Sequence, residues 1–259
     1  MELLAQANIG VKILFLFVAG FFSAFIDSIA GGGGMISIPA YFIVGFPAHY
    51  TLGTNKFSAT SGSLVSSINF AKSGKTDKEI LKVILPFTFI GAILGVKAVL
   101  YLDSNVLEPV VLTLLLVVGL NSIFSKKMGL EDTYTGVTKK NLILGALLGF
   151  ILGFYDGFFG PGTGSLIIFG LIKIYGFDFV RASGNAKVMN LTSNATSLIM
   201  FALNRKIYYL MGIPMGLAMI LGAIAGSKLA IKEGSKFVRP VFVVMTLAVA
   251  VKIFYQMLF

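Results

Sequence analysis

The sequence predicts an all-α membrane protein that crosses the bilayer several times and is built from two inverted repeats. Its 259 residues are 56% hydrophobic and only 12% charged, whereas soluble domains carry about 25% charged residues. Apolar runs close to the roughly 20 residues that cross a bilayer recur along the chain, and one glycine-rich, charge-bearing pattern occurs twice. We therefore expect about five helical segments per repeat, four spans and one short or broken helix.

The apolar runs predict eight long helices, over about residues 9–29, 53–72, 79–101, 105–125, 139–159, 181–204, 207–231 and 236–258. Two further apolar segments, Met35–Phe46 and Ser165–Tyr175, are too short to be ordinary spans and follow directly after glycine clusters. Such paired short segments in corresponding places are typical of a transporter's binding site. The chain then divides into a first transmembrane repeat (1–125), a cytoplasmic linker (126–138) and a second transmembrane repeat (139–259).

The basic residues predict how these segments are oriented. If both short segments cross the membrane, fourteen Lys and Arg residues lie on one side and only Arg205 and Lys206 on the other, as the positive-inside rule expects. If the short segments instead re-enter on the same side, the split weakens to ten against six. We favour the inverted five-plus-five arrangement, which places both termini outside the cell. The fourteen residues are Lys72, Lys75, Lys78, Lys82, Lys126, Lys127, Lys139, Lys140, Lys173, Arg181, Lys228, Lys232, Lys236 and Arg239.

Composition also narrows the function. The formal net charge of +10 is explained by membrane orientation, so we expect the lipid bilayer rather than nucleic acid as a partner. The chain has no cysteine and one histidine, and it lacks a Gly-x-Ser-x-Gly elbow and a His-Glu-x-x-His pattern. We expect no catalytic residues, no metal and no cofactor. A serine hydrolase with Lys56 as base and Ser63 on the same helix face is the enzymatic alternative.

The duplicated pattern places an aspartate before a glycine cluster and a lysine after it. Its first copy comprises Asp27, then Gly31, Gly32, Gly33 and Gly34, then Gly53-Thr54-Asn55-Lys56. Its second copy, about 130 residues later, comprises Asp156, then Gly160, Gly162 and Gly164, then Gly184-Asn185-Ala186-Lys187. Glycines cost a helix about 1 kcal/mol each relative to alanine, so clustered glycines end it. The helix that restarts presents N–H groups and a partial positive charge, which suit an anion.

Each lysine of the pattern begins a helix that is unusually polar for a membrane protein. Lys56 shares a helix face with Ser63, and Lys187 shares one with Asn190, by their spacing. A charge at mid-bilayer costs about 2.5–3.5 kcal/mol, so each lysine needs a partner. The predicted substrate ligands are the clustered glycines (Gly31, Gly32, Gly33, Gly34, Gly160, Gly162 and Gly164) with Thr54, Asn55, Lys56, Ser63, Asn185, Lys187 and Asn190.

Asp27 and Asp156 are the predicted partners of the lysines, and two roles stay open for them. Asp27–Lys56 and Asp156–Lys187 are purely structural ion pairs, or else the lysines face a bound anion. In the second case the aspartates carry protons or hold the lysines when the site is empty. The spaced glycines at 91, 95, 222 and 226 have a different meaning, because such spacing is typical of close helix crossings in membranes.

Three motifs carry a family resemblance: the run Gly31–Gly34 before a proline-containing segment, Leu-Gly-Thr-Asn-Lys at 52–56, and its diverged copy Ser-Gly-Asn-Ala-Lys at 183–187. These motifs resemble those of the TauE/SafE family of sulfite exporters, and the resemblance covers nearly the whole chain. The resemblance implies a permease of the bacterial or archaeal cytoplasmic membrane that moves sulfur-containing anions such as sulfite or organosulfonates.

We expect from this a secondary transporter, acting as an exporter, whose broken helices and lysines hold the anion near mid-membrane. A permease or channel for another small anion, such as a carboxylate or another oxyanion, is the alternative. The second motif copy departs from the first, since Pro161 and Thr163 interrupt its glycines and Ala186 follows Asn185. The two halves are therefore expected to contribute unequally to the site.

Overall fold

The computed structural model describes residues 7–103, 129–238 and 240–241, and the regular elements in this part of the chain are all helical. The helices are α1 (Ile9–Ala30), α2 (Gly34–Ile43), α3 (Ala48–Lys72), α4 (Lys78–Tyr101), α5 (Lys139–Phe158), α6 (Thr163–Tyr175), α7 (Phe179–Leu203) and α8 (Tyr209–Glu233). Of these, α1, α4, α5 and α8 are long and apolar enough to cross a membrane. The all-helical, multi-pass fold class is thus confirmed.

Most helix bounds agree with the sequence prediction to within about two residues, and α3 is the main exception. It begins at Ala48 rather than at the predicted residue 53. Its N-cap residue is Pro47, which has an extended backbone conformation. The predicted helix 105–125 lies outside the described residues, as does most of 236–258. The predicted start at Gly53 was wrong because that glycine lies inside the helix, packed against the carbonyl oxygen of Lys206.

The two short helices begin where glycines adopt conformations that other residues avoid. Gly31 and Gly32 have φ of 76° and 93° ahead of α2, and Gly162 is left-handed with φ 76° ahead of α6. The two glycine clusters touch, because a Cβ on Gly31 would overlap the backbone of Gly164 and Ser165. Both chain breaks therefore meet in the interior, as broken backbone inside a membrane protein must.

The halves interlock through close helix crossings. The first helix of each half packs along the last described long helix of the other half, α1 on α8 and α5 on α4. A Cβ on Gly91 would lie 2.7 Å from the Phe154 nitrogen, and one on Gly222 would lie 3.0 Å from the Phe25 nitrogen. The predicted role of the spaced glycines in helix crossing is confirmed. That the two halves run in opposite directions stays a prediction.

Helices α3 and α7 pack against each other at the centre of the molecule. Each has 25 residues, and neither meets the hydropathy of an apolar span because Ser, Thr and Asn occupy many of their positions. Most of these polar side chains are buried. Their polarity therefore faces the protein interior, which is where the candidate site lies.

Candidate functional site

A cavity of about 50 Å³ lies where α2 and α6 begin. This exceeds the roughly 10–15 Å³ that one water requires, so the cavity has room for a few waters or one small anion. Residues from both halves line it: Ser23, Ala24, Asp27, Ser28, Gly32, Gly33, Gly34, Ser37, Asn55, Lys56, Ala59, Gly62, Ser63, Asp156, Gly160, Gly162, Thr163, Gly164, Asn190, Asn194 and Met219. The prediction of a shared site at the glycine clusters thus has a structural counterpart.

Two ion pairs at the cavity join one half to the other. Lys56 Nζ lies 2.8 Å from Asp156 Oδ2, and Lys187 Nζ lies 2.7 Å from Asp27 Oδ2. The predicted pairing of each lysine with the aspartate of its own half was therefore wrong. Because α3 and α7 pack against each other at the centre, each lysine reaches the aspartate that the opposite half presents.

The pair formed by Lys56 and Asp156 borders the cavity and is almost fully desolvated. The two side chains are 2% and 5% exposed. Lys56 Nζ also donates to Asn194 Oδ1 at 3.1 Å, and Ser193 Oγ donates to Asp156 Oδ2 at 2.6 Å. Lys56 is thus a buried cation whose acceptors are a carboxylate and an amide.

The pair formed by Lys187 and Asp27 is built differently. Lys187 has no exposed side-chain surface, lies outside the cavity lining, and donates to both the carboxylate and the main-chain carbonyl of Asp27. The other carboxylate oxygen, Asp27 Oδ1, accepts a hydrogen bond from the Gly33 nitrogen at 3.0 Å. This pair therefore links α7, α1 and the start of α2.

The cavity also receives the positive ends of two helices. α2 begins at Gly34 and α6 at Thr163, and both residues line the cavity. Some N–H groups of these first turns already donate to carbonyls of the glycine clusters, such as Ile36 to Gly33 and Thr163 to Gly160, so the helix ends contribute mainly the partial positive charge of the helix dipole. Together with Lys56 these helix ends form an environment suited to a small anion.

Two buried asparagines in the lining supply further polar groups. The amide oxygens of Asn55 and Asn190 have no hydrogen-bond partner among the described residues, although the side chains are only 4% and 5% exposed. An amide carries an acceptor oxygen and a nitrogen with two donor hydrogens, and rotation of its terminal torsion exchanges their positions. Both side chains are therefore available to a ligand in the cavity.

Four predicted ligands lie outside the cavity lining: Gly31, Thr54, Asn185 and Lys187. Thr54 Oγ1 accepts a hydrogen bond from the Tyr208 nitrogen at 2.9 Å, and Asn185 Oδ1 accepts one from the Asp77 nitrogen at 2.8 Å. Thr54 therefore holds the α7–α8 loop near the start of α3, and Asn185 holds the α3–α4 loop near the start of α7. The other predicted ligands and both aspartates line the cavity.

Several lining residues were not predicted from the sequence. Ser23 is one helical turn before Asp27 on α1, and its hydroxyl donates to the Gly33 carbonyl at 2.8 Å. That spacing of four residues was the available signal, since such residues share a helix face. Ser28, Ser37 and Met219 carried no comparable signal. Among the described residues, no group of three or more His, Cys, Asp or Glu side chains is placed to hold a metal ion.

Comparisons with known proteins agree with the motifs. The family model described as "Sulfite exporter TauE/SafE" matches residues 16–253. A "probable membrane transporter protein" of Haemophilus influenzae is 38% identical over 96% of this chain and 97% of its own length. The "probable membrane transporter protein ORF9" of a Sinorhizobium species is 37% identical over 93% and 92%, and YfcA of Escherichia coli K12 is 34% identical over 93% and 89%. No solved structure gives a significant match.

Proposed function

Since this chain belongs to the TauE/SafE family of membrane transporters, we propose that it is a secondary transporter of small sulfur-containing anions such as sulfite or organosulfonates. The observation that supports this best is the meeting of Lys56 with the N-termini of α2 and α6 in one cavity. A cation and two positive helix ends in a desolvated space favour an anion over a neutral or cationic solute.

The net charge of the site is formally zero before an anion binds, because two lysines face two aspartates. An added anion therefore needs a compensating change, since an unpaired buried charge is strongly unfavourable. We assign Asp27 and Asp156 to this role, as counter-charges of the empty site or as proton carriers. Lys56, Asn55, Asn190 and the glycine backbones of both clusters are the proposed ligands.

Export is the proposed direction. One negative charge that leaves an inside-negative cell gains about 2.3 kcal/mol per 100 mV, enough for a gradient of roughly fiftyfold without a coupling ion. The proposed location is the cytoplasmic membrane with both termini outside, which the fourteen basic residues on one side support. In this arrangement α2 and α6, the short helices of their halves, complete the crossing from the buried glycine clusters to the membrane surface.

Purified protein in liposomes tests the proposal directly. Under an imposed potential, we expect saturable flux of sulfite, thiosulfate or a sulfonate and loss of that flux in Lys56→Met. Formate and acetate serve as comparison anions that contain no sulfur. Saturable flux of a carboxylate with none of the sulfur-containing anions would replace the proposed substrate class, flux that does not saturate would indicate a channel, and no anion flux at all would refute transport by this site.

A further inference from the structure

We propose that the two ion pairs at the cavity have different roles. In the empty site Asp156 pairs with Lys56, in the place that the transported anion takes. When the anion binds, Asp156 releases Lys56 and takes up a proton. The pair Lys187–Asp27 stays closed throughout and positions the Gly33 backbone at the start of α2. This division of roles rests on the proposed transport of anions.

The contacts of Lys187 support a permanent pair. Its ammonium group is bonded to both the side chain and the main chain of Asp27, has no exposed surface, and does not line the cavity. Gly33 is packed so closely that a Cβ there would lie 2.7 Å from both Asp27 Cβ and the Ser23 carbonyl oxygen. Opening this pair would move α1, α7 and the start of α2 together.

The contacts of Lys56 support an exchangeable pair. Lys56 and Asp156 both line the cavity beside Gly160, where a Cβ would lie 3.1 Å from Lys56 Nζ and 3.2 Å from Asp156 Oδ1. The lack of a side chain at Gly160 lets a ligand approach the ammonium group. Asp156 keeps the Ser193 hydroxyl as a hydrogen-bond partner after Lys56 has turned to the anion.

Charge balance supplies the proton step. If the anion takes Lys56, Asp156 is left as a buried carboxylate without a cation, and one proton from water restores neutrality. The charged groups that face Asp156 are Lys56 from α3 and, across the cavity, Asp27 from α1 with its partner Lys187 from α7. α6 contributes a hydroxyl to the lining, α7 contributes two amide groups and α8 contributes Met219. The Ser193 hydroxyl of α7 bonds Asp156 from outside the lining, and α4 packs on α5 through glycines.

Neutralising each pair in turn gives a matched test, because neither double variant leaves a buried charge unpaired. The probe is methanesulfonate, a permanent monoanion, and binding is measured by titration calorimetry on the full chain in detergent. In Lys56→Gln with Asp156→Asn we expect affinity to fall by about a hundredfold, the worth of a strong charged hydrogen bond. In Asp27→Asn with Lys187→Gln we expect a loss of about tenfold or less, since the amide oxygen still accepts from the Gly33 nitrogen.

Equal losses in the two double variants would overturn the division of roles while leaving anion transport intact. If the wild type binds none of the anions in the transport screen, the proposed function fails and this inference fails with it. Elution of each variant as one folded species in size-exclusion chromatography identifies a loss due to misfolding. A variant that is expected to bind the anion more tightly provides a second test, because misfolding does not produce a gain of affinity.

That variant is Asp156→Asn, which leaves Lys56 without its internal competitor. We expect it to bind methanesulfonate more tightly than wild type at about pH 5, which favours the charged form of a buried lysine that has lost its carboxylate partner. Wild type should take up about one proton per anion and lose about tenfold in affinity per unit of rising pH while Asp156 is ionised. Weaker binding by that variant at this pH, or the absence of proton uptake in wild type, would refute the exchange.

Discussion

Removing Lys56 should destabilise the folded protein mainly through the carboxylate that it leaves behind. In Lys56→Met the Asp156 side chain, 5% exposed, keeps the Ser193 hydroxyl as its hydrogen-bond donor and loses its cation. Breaking a buried pair from one side costs about 3–5 kcal/mol. We therefore expect a loss of about 3–5 kcal/mol.

The measurement is the fraction of protein that survives heating in detergent as a single folded species. Adding Asp156→Asn to Lys56→Met should recover most of the loss, because the pair is then neutral on both sides. Adding Asp27→Asn instead should recover none, because Asp27 pairs with Lys187 across the cavity. Recovery by the Asp27 change, or by neither change, would contradict the crossed pairing.

Four further substitutions test backbone contacts and surface charges. Gly53→Ala and Gly184→Ala should each lower stability by about 1–3 kcal/mol, because the added methyl groups overlap carbonyl oxygens of the α7–α8 and α3–α4 loops, respectively. Thermal denaturation measures the loss. Gly216→Ala is the control, because its methyl group makes only an ordinary contact at 3.4 Å. Gly162→Ala should cost about 1–2 kcal/mol because its φ is 76°, and it should also weaken anion binding in calorimetry because it displaces the start of α6. Arg181→Gln removes two ion pairs with carboxylates, of 2.8 and 3.0 Å, from a side chain that is 27% exposed. We expect the stability to fall by about 1 kcal/mol or less, and by less still in high salt. A loss of stability that salt does not change would contradict an electrostatic origin.

The parts of the fold that depend on local sequence were predictable. Apolar runs located α1, α4, α5 and α8, and the glycine clusters located the starts of α2 and α6 to within about two residues. Each of these signals acts over a single helix or turn, through hydrophobic periodicity or through φ values that favour glycine. Gly53 misled the prediction because a glycine inside a helix can serve a close contact rather than a chain break.

The pairing of charges was not predictable for a physical reason. Lys56 and Lys187 lie on helices that carry polar groups on several faces, so periodicity does not indicate which neighbour each side faces. Thr54 illustrates the same limit. It was predicted to bind the substrate, and its hydroxyl instead accepts a hydrogen bond from the Tyr208 nitrogen. Both outcomes depend on how the two halves pack, which is tertiary information absent from either repeat alone.

The crossed pairs make each half dependent on the other for its buried charges. A half that contained Lys56 and Asp27 without its counterpart would bury one cation and one anion that lie apart, at a cost that the bilayer does not relieve. In the assembled chain, each charge is neutralised only where α3 and α7 meet at the cavity. A movement of one half against the other must therefore carry or break these pairs, and under the proposed division of roles Lys56–Asp156 is the pair that opens when the anion binds.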